Sequence, residues 1–246
     1  MDATPKVIVI GASGALGRAT CKELATRGAR VGGTFFRGED VAAELARTLP
    51  NGFVGRRLDL ARGEEIEKTV HEIARELGGL DALVHCAVAP SAAKDVRYDT
   101  LADVDPAALT TMLAVNVASP LLCARAFATT AGSSPDSSRR LVFVSSIDGA
   151  KSVPSTAAYS ASKGAVIAMT RSLAKELAPI LVNTIAPGLM EEGASRIVPE
   201  DVKREYLKHS ALKRYATAAE VARSIAWLSL SNPYLTGQTV VLDGGL

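Results

Sequence analysis

Short runs of apolar and β-branched residues recur along the chain, at Lys6–Ile10, Ala29–Phe35, Phe53–Leu58, Ala82–Cys86, Leu141–Ser145, Ile180–Ile185 and Thr239–Leu242. Between them lie stretches of helix length in which apolar and polar positions mix at helical spacing. The pattern predicts strands alternating with helices. Parallel strands joined by right-handed helical crossovers form a doubly wound sheet with helices on both faces, and such sheets bind ligands just beyond the carboxyl ends of their strands. The expected fold class is therefore α/β, a single doubly wound domain over residues 1–246. A Gly/Ser/Pro-rich stretch, Ala131–Ser138, reads as a surface loop between a long helix and the fifth strand.

Composition sharpens this picture. Aromatic residues make up 4% of the chain, which suits Val/Ile/Leu strands under Ala-rich helices better than a β-sandwich. Lys+Arg total 28 against 26 Asp+Glu, with no basic block, so neither nucleic acid nor an anionic membrane is an expected partner. The uncharged stretches Pro106–Ala124 and Ser224–Leu242 are interrupted by Asn116, Pro120, Asn232, Pro233 and Gln238, and no spanning segment is expected. The first apolar run, Val7–Ile10, is far shorter than a secretory signal core, and Cys21, Cys86 and Cys123 form no CxxC pair. These features favour a cytoplasmic protein without disulfides or a metal site.

Directly after the first strand comes Gly11-Ala12-Ser13-Gly14-Ala15-Leu16-Gly17, and a helical pattern follows through Arg27. In that context the glycine loop reads as the phosphate-binding turn of a Rossmann fold. Gly11 makes the turn, Gly14 admits a pyrophosphate, and Gly17 lets the helix pack with its N–H groups facing the anion. The second strand ends Thr34-Phe35-Phe36-Arg37, with no carboxylate before Glu39. A carboxylate there would bind a ribose hydroxyl, whereas Arg37 can fork onto a 2′-phosphate, which favours NADP(H). The weaker alternative is that Arg37 only opens the next helix as a solvated residue. Asp59, after the third strand, can cap a turn or approach the adenine edge.

Tyr159 and Lys163 stand one helical turn apart in Tyr159-Ser160-Ala161-Ser162-Lys163. A free phenol titrates near pH ~10, and a neighbouring ammonium stabilises its phenolate and makes it a usable proton donor near neutrality. Further features fall in order around this pair: Asp59, the turn His85–Val88, Asn116, Ser146 thirteen residues before Tyr159, and Pro187-Gly188. On these motifs the chain resembles the short-chain dehydrogenase/reductase family along nearly its whole length.

The resemblance implies a nicotinamide-dependent oxidoreductase. It makes Tyr159 the proton donor, Ser146 the group that polarises the carbonyl, Lys163 the residue that holds the cofactor ribose and tunes Tyr159, and Asn116 the support of a proton-relay water. It also implies cofactor contacts at Gly11, Ser13, Gly14, Ala15, Leu16, Gly17, Phe36, Arg37, Asp59, Leu60, Cys86, Ala87, Val88, Tyr159, Lys163, Pro187, Gly188 and Met190. Three positions depart from the family pattern. Ala15 and Val88 replace glycines, and Glu192 stands where a threonine often meets the cofactor, turning outward or marking an altered loop. His85 and Cys86 replace paired asparagines and read as packing residues at an apolar strand end. His71 and His209 are expected to face solvent.

The segment Pro187–Gly244, with a helix near Pro199–His209, most resembles the 3-oxoacyl-acyl-carrier-protein reductase group. That likeness implies reduction of a 3-oxoacyl thioester, either a small molecule or carrier-bound, although polyketide and polyene reductases share this tail. Arg139, Arg140, Lys151, Arg171 and Lys175 could greet an acidic carrier. Ala89–Val104, with Ser91, Lys94, Arg97 and Tyr98, is expected to border the substrate cleft. Ala161, Gly164, Ala165 and Ala168 permit close helix approach, and the family resemblance implies a homotetramer. Two other readings stay open: a dinucleotide-sensing protein without turnover, and a dehydrogenase oxidising a secondary alcohol with NAD.

Overall fold

The computed structural model describes residues 4–90, 101–132, 138–151 and 157–246. Strand β1 (Lys6–Ile10) is buried on both faces, with Val7 and Val9 packing to one side and Ile8 and Ile10 to the other. A strand of that kind belongs in the middle of a parallel sheet covered by helices on each side. The other strands are β2 (Arg30–Phe35), β3 (Phe53–Arg57), β4 (Ala82–His85), β5 (Arg140–Val144), β6 (Leu181–Pro187) and β7 (Thr239–Leu242). Among the described residues they form one sheet of order β3-β2-β1-β4-β5-β6-β7, and every pairing is parallel.

The α-helices are α1 (Ala15–Thr26), α2 (Glu39–Thr48), α3 (Ile66–Leu77), α4 (Pro106–Leu113), α5 (Ser119–Thr129), α6 (Ile147–Ala150), α7 (Ala157–Glu176), α8 (Glu200–His209) and α9 (Ala218–Leu230). One face of the sheet packs Ile8, Leu83 and Phe143 against Ile73 of α3, Phe127 of α5 and Val166 of α7. The opposite face packs Val9, Val84 and Val142 against Leu24 of α1 and Ile225 of α9. The chain leaves β1 for β2 and β3, then returns to β4 on the other side of β1. This reversal opens a crevice at the carboxyl ends of β1 and β4, where a doubly wound sheet holds its ligand.

Three sequence expectations need correction. β6 runs two residues further than expected, because Ala186 and Pro187 pair with Val241 and Leu242 of the edge strand. Asn116 and Pro120 do not interrupt the helical run from Pro106 to Thr129. This run is 24 residues long with a hydropathy of 1.6, enough by length and composition to cross a membrane, and it packs on the sheet through Cys123, Ala126 and Phe127. Pro120 is tolerated because it sits in the first turn of α5, after a single π-helical turn over Ala114–Ala118. His71 is half-buried rather than solvent-facing, since its Nε2 lies 3.0 Å from Thr129 Oγ1 and 3.2 Å from the Ala126 carbonyl, which ties α3 to α5. Part of the Ala131–Ser138 loop lies outside the described residues, as do Ser91, Lys94, Arg97 and Tyr98 of the expected cleft border.

Candidate active site

The loop after β1 is built by two glycines that no other residue could replace. Gly11 has φ +82°, and a Cβ there would fall 2.8 Å from the Ala87 backbone; a Cβ on Gly17 would strike the Gly11 carbonyl oxygen at 2.1 Å. Gly14 differs, because a Cβ there meets only the Gly11 oxygen, at 3.5 Å, and its free side faces the crevice. It is the N-cap of α1, with no side-chain cap and no acidic residue in the first turn, so the first N–H groups are left for a ligand. A dinucleotide's pyrophosphate fits such an end on both hydrogen bonding and dipole.

The end of β2 is laced to this loop. Ala12 N–H donates to the Thr34 carbonyl (2.7 Å), Gly11 N–H to Thr34 Oγ1 (3.3 Å), and Ser13 Oγ to the Arg37 carbonyl (2.7 Å). These bonds set Arg37 beside the phosphate end. The guanidiniums of Arg37 and Arg57 lie 5.6 and 5.5 Å from the centre of the exposed Phe36 ring. Arg57 escapes notice in the sequence and becomes visible only through strand register, which pairs it with Phe35. Asp59 makes a turn: its Oδ1 accepts the Ala61 N–H at 3.0 Å. Leu60 and Ala87 pack against the core.

Beyond the loop opens a cavity of about 720 Å³, a size that suits a small-molecule ligand. It gathers Gly14, Ala15, Leu16, Gly17, Cys86, Val88, Ser146, Tyr159, Lys163, Pro187, Gly188 and Met190. Gly11, Ser13, Phe36, Arg37, Asp59, Leu60, Ala87 and Asn116 do not line it. The first of these flank it toward β2. Asn116 is buried behind it, with Nδ2 donating to the Ala89 carbonyl (2.9 Å) and to Ser162 Oγ (3.1 Å) while Oδ1 accepts the Ala89 N–H (2.8 Å). Asn116 thus couples the exit of β4 to α7. The far wall comes from α8, including Glu205, Tyr206 and His209, and from Leu246. His209 is exposed, as expected, and lies 3.3 Å from Glu205.

Lys163 is buried, and its Nζ donates to the Val144 carbonyl at 2.9 Å while lying 5.7 Å from the centre of the Tyr159 ring. Burial pulls its pKa down to about 8, against the raising influence of Cys86 and Asp148, so the ammonium still dominates at neutral pH. His85 is held neutral, with its pKa pushed down to about 3 by burial and by Lys163. Cys86 stays a thiol, pushed up to about 12 by burial, and its Sγ lies 3.9 Å from Thr20 Oγ1. Among the described residues no cluster of His, Cys, Asp or Glu could hold a metal. Asp148, absent from the sequence reading, also lines the cavity and bonds Ser146.

The departures from the family pattern find physical explanations. Glu192 turns away from the phosphate end, and its Oε2 accepts the Ala218 N–H at the start of α9 (3.0 Å). Val88 replaces a glycine without strain, since among the described non-glycine residues only Lys213 has a positive φ. The Ala15 methyl faces the turn at Gly193, where a Cβ would lie 3.4 Å away.

A family model described as "Enoyl-(Acyl carrier protein) reductase" matches residues 11–246. The chain belongs to the short-chain dehydrogenase/reductase family. Members are nicotinamide-dependent oxidoreductases, and the chain is similar to the 3-oxoacyl-[acyl-carrier-protein] reductase of Mus musculus, at 32% identity over 97% of this chain and 96% of that one. It is also similar to the FabG 3-oxoacyl-[acyl-carrier-protein] reductase of Aquifex aeolicus, at 30% identity over 97% and 96%. Among solved structures, a short-chain dehydrogenase of Burkholderia cenocepacia in complex with NADP superposes with a TM-score of 0.86 at 27% identity, covering 98% of this chain and 97% of that one. A short-chain dehydrogenase/reductase of Serratia marcescens gives the same TM-score, 0.86, at 25% identity and the same coverage, 98% and 97%.

Proposed function

We propose that the protein is an NADPH-dependent ketone reductase whose substrate is a 3-oxoacyl thioester. The observation that carries this reading is one cavity holding Ser146, Tyr159 and Lys163 beside the uncapped start of α1. The cofactor, when bound, supplies the hydride. Gly14 and the first N–H groups of α1 would receive its pyrophosphate, and Arg37 with Arg57 would meet a 2′-phosphate. Tyr159 gives its phenolic proton to the oxygen that becomes the alcohol, and the Lys163 ammonium stabilises the phenolate left behind. Ser146 is placed to orient the carbonyl oxygen.

The family likeness makes Asn116 the support of a proton-relay water, and its buried side chain ties Ala89 at the exit of β4 to Ser162 of α7.

The thioester class rests on relatives named 3-oxoacyl reductases. Recognition of a carrier protein finds less support than the sequence suggested. Arg139 and Arg140 lie at the amino end of β5, opposite the cavity, and their guanidiniums donate to the Phe127 and Asn232 carbonyls. Lys175, sixteen residues after Tyr159 on α7, is about 24 Å along that helix. Lys151 is near the cavity but pairs with Asp243 at 2.5 Å. A small-molecule thioester is the simpler substrate. Glu192 spends its carboxylate on the start of α9 and so does not oppose a bound dinucleotide, while Glu39 lies 3.6 Å from Arg57 at the β2 end.

Initial rates with NADPH, NADH and an acetoacetyl thioester test the reading. Tyr159→Phe should lower kcat by about 10² to 10⁴ while NADPH still binds. Arg37→Ala should weaken NADPH binding and leave NADH unchanged. Full activity in Tyr159→Phe removes the proposed mechanism.

A further inference from the structure

Ser146 is the N-cap of α6, and its hydroxyl is already engaged. Its Oγ accepts the Asp148 N–H at 3.2 Å and lies 2.7 Å from Asp148 Oδ2, to which it donates. A hydroxyl has one hydrogen and two lone pairs. With Asp148 ionised, the hydrogen points at Oδ2, one lone pair takes the N–H, and one lone pair is left for the cavity. Ser146 can then only accept from a substrate oxygen. With a proton on Asp148, the carboxyl O–H fills that second lone pair and the Ser146 hydrogen is released. Ser146 then donates.

We propose that Asp148 is a positioning residue acting through Ser146, deciding whether this hydroxyl offers a hydrogen to a ketone or a lone pair to an alcohol. The proposal rests on the reductase reading above. The proton on Asp148 stays on its carboxyl throughout, and the proton that ends on the product comes from Tyr159. The surroundings let Asp148 change state. Burial raises its pKa from the usual aspartate value, opposed by the Ser146 bond, its own N–H and the Lys163 charge. The other titratable and charged groups around the cavity are Tyr159 of α7, Cys86 after β4, Lys151 with Asp243 behind α6, Asp201, Arg204, Glu205 and His209 of α8, and the carboxylate of Leu246. The sequence offers a signal in retrospect: an acidic residue two places after the serine, at a helix start.

The test is the pH profile of reductive and oxidative kcat/KM for one ketone and its alcohol in the wild type, Asp148→Asn, Asp148→Val and Ser146→Ala, with unfolding midpoints as a check on folding. In the wild type, reductive kcat/KM should fall about tenfold or more as Asp148 ionises, chiefly in kcat. Both Asp148 variants should lose that limb and keep the limb set by Tyr159 and Lys163, and Ser146→Ala should lose it too. A second readout needs no turnover: the Asp148 carboxyl, followed by ¹³C NMR in the cofactor-free protein, should titrate higher in Ser146→Ala. Superimposable profiles in wild type and Asp148→Asn overturn the proposal alone, as does a limb that survives in Ser146→Ala or a carboxyl titration that does not move. A wild type without turnover overturns the proposal together with the reductase reading.

Discussion

At the scale of single residues, His85 shows what burial does to a side chain that the sequence leaves ambiguous. Its Nε2 lies 2.8 Å from Ser119 Oγ, and Ser119 sends its own hydrogen to the Val115 carbonyl, so Nε2 carries the proton in the neutral ring. The folded pKa of about 3 lies below the unfolded value of about 6.5. The neutral ring therefore contributes stability above pH ~6.5, and this contribution is lost as pH falls, because only the unfolded chain takes up the proton. Unfolding free energies from urea titrations between pH 7 and 4 should fall more steeply for wild type than for His85→Asn, by at most about 1.4 kcal/mol per pH unit. Equal slopes would mean that the ring is protonated in place. The helical spacing of Tyr159 and Lys163 was legible in the chain, and the structure brings both to one cavity, while their proposed roles come from the family likeness. Distant partners were not legible: the use of Glu192 on α9 depends on a contact across 26 residues that no local pattern encodes, whereas the turn made by Asp59 and the bond of Asp148 to Ser146 are local.

At the scale of elements, the strands were readable because apolar runs buried on both faces stand out against the helical spacing between them. The π-helical turn was not readable, since Asn116 and Pro120 looked like interruptions of a helix rather than as a device within it. α9 begins with a reciprocal cap: Thr217 Oγ1 accepts the Glu220 N–H at 3.2 Å while Glu220 accepts the Thr217 N–H at 2.9 Å. Glu192 adds an acceptor for the next N–H, at Ala218. Glu192→Ala should cost about 1 kcal/mol of stability, the scale of a lost helix cap, and leave NADPH affinity unchanged. Thermal unfolding and cofactor titration of the same variant check both halves. A large change in affinity at unaltered stability would show that the carboxylate does bear on the phosphate end.

At the scale of the molecule, topology decides which surfaces can act together. The sheet order puts the glycine loop, the β4 exit and α6 at one end and Arg139 and Arg140 at the other, a separation that only the strand direction reveals. The face of α7 bearing Ala161 and Ala168 is exposed, and Gly164 and Ala165 between them are half-buried. Leu113 and Leu121, 41% and 49% exposed, leave further apolar surface uncovered on the α4–α5 run. This supports a homo-oligomer in which small side chains let helices of two copies approach closely. Ala168→Glu should shift sedimentation toward smaller species without unfolding the chain, and an unchanged profile would move the interface elsewhere.

The missing N–H of Pro120 reaches into protein engineering. Replacing a proline inside a helical run is a routine route to a sturdier scaffold, and here an alanine would put a backbone donor next to the π-helical turn and favour its straightening. That turn carries Asn116, whose side chain ties the β4 exit to α7, so a screen that selects on melting temperature alone would remodel the backbone that holds this tie.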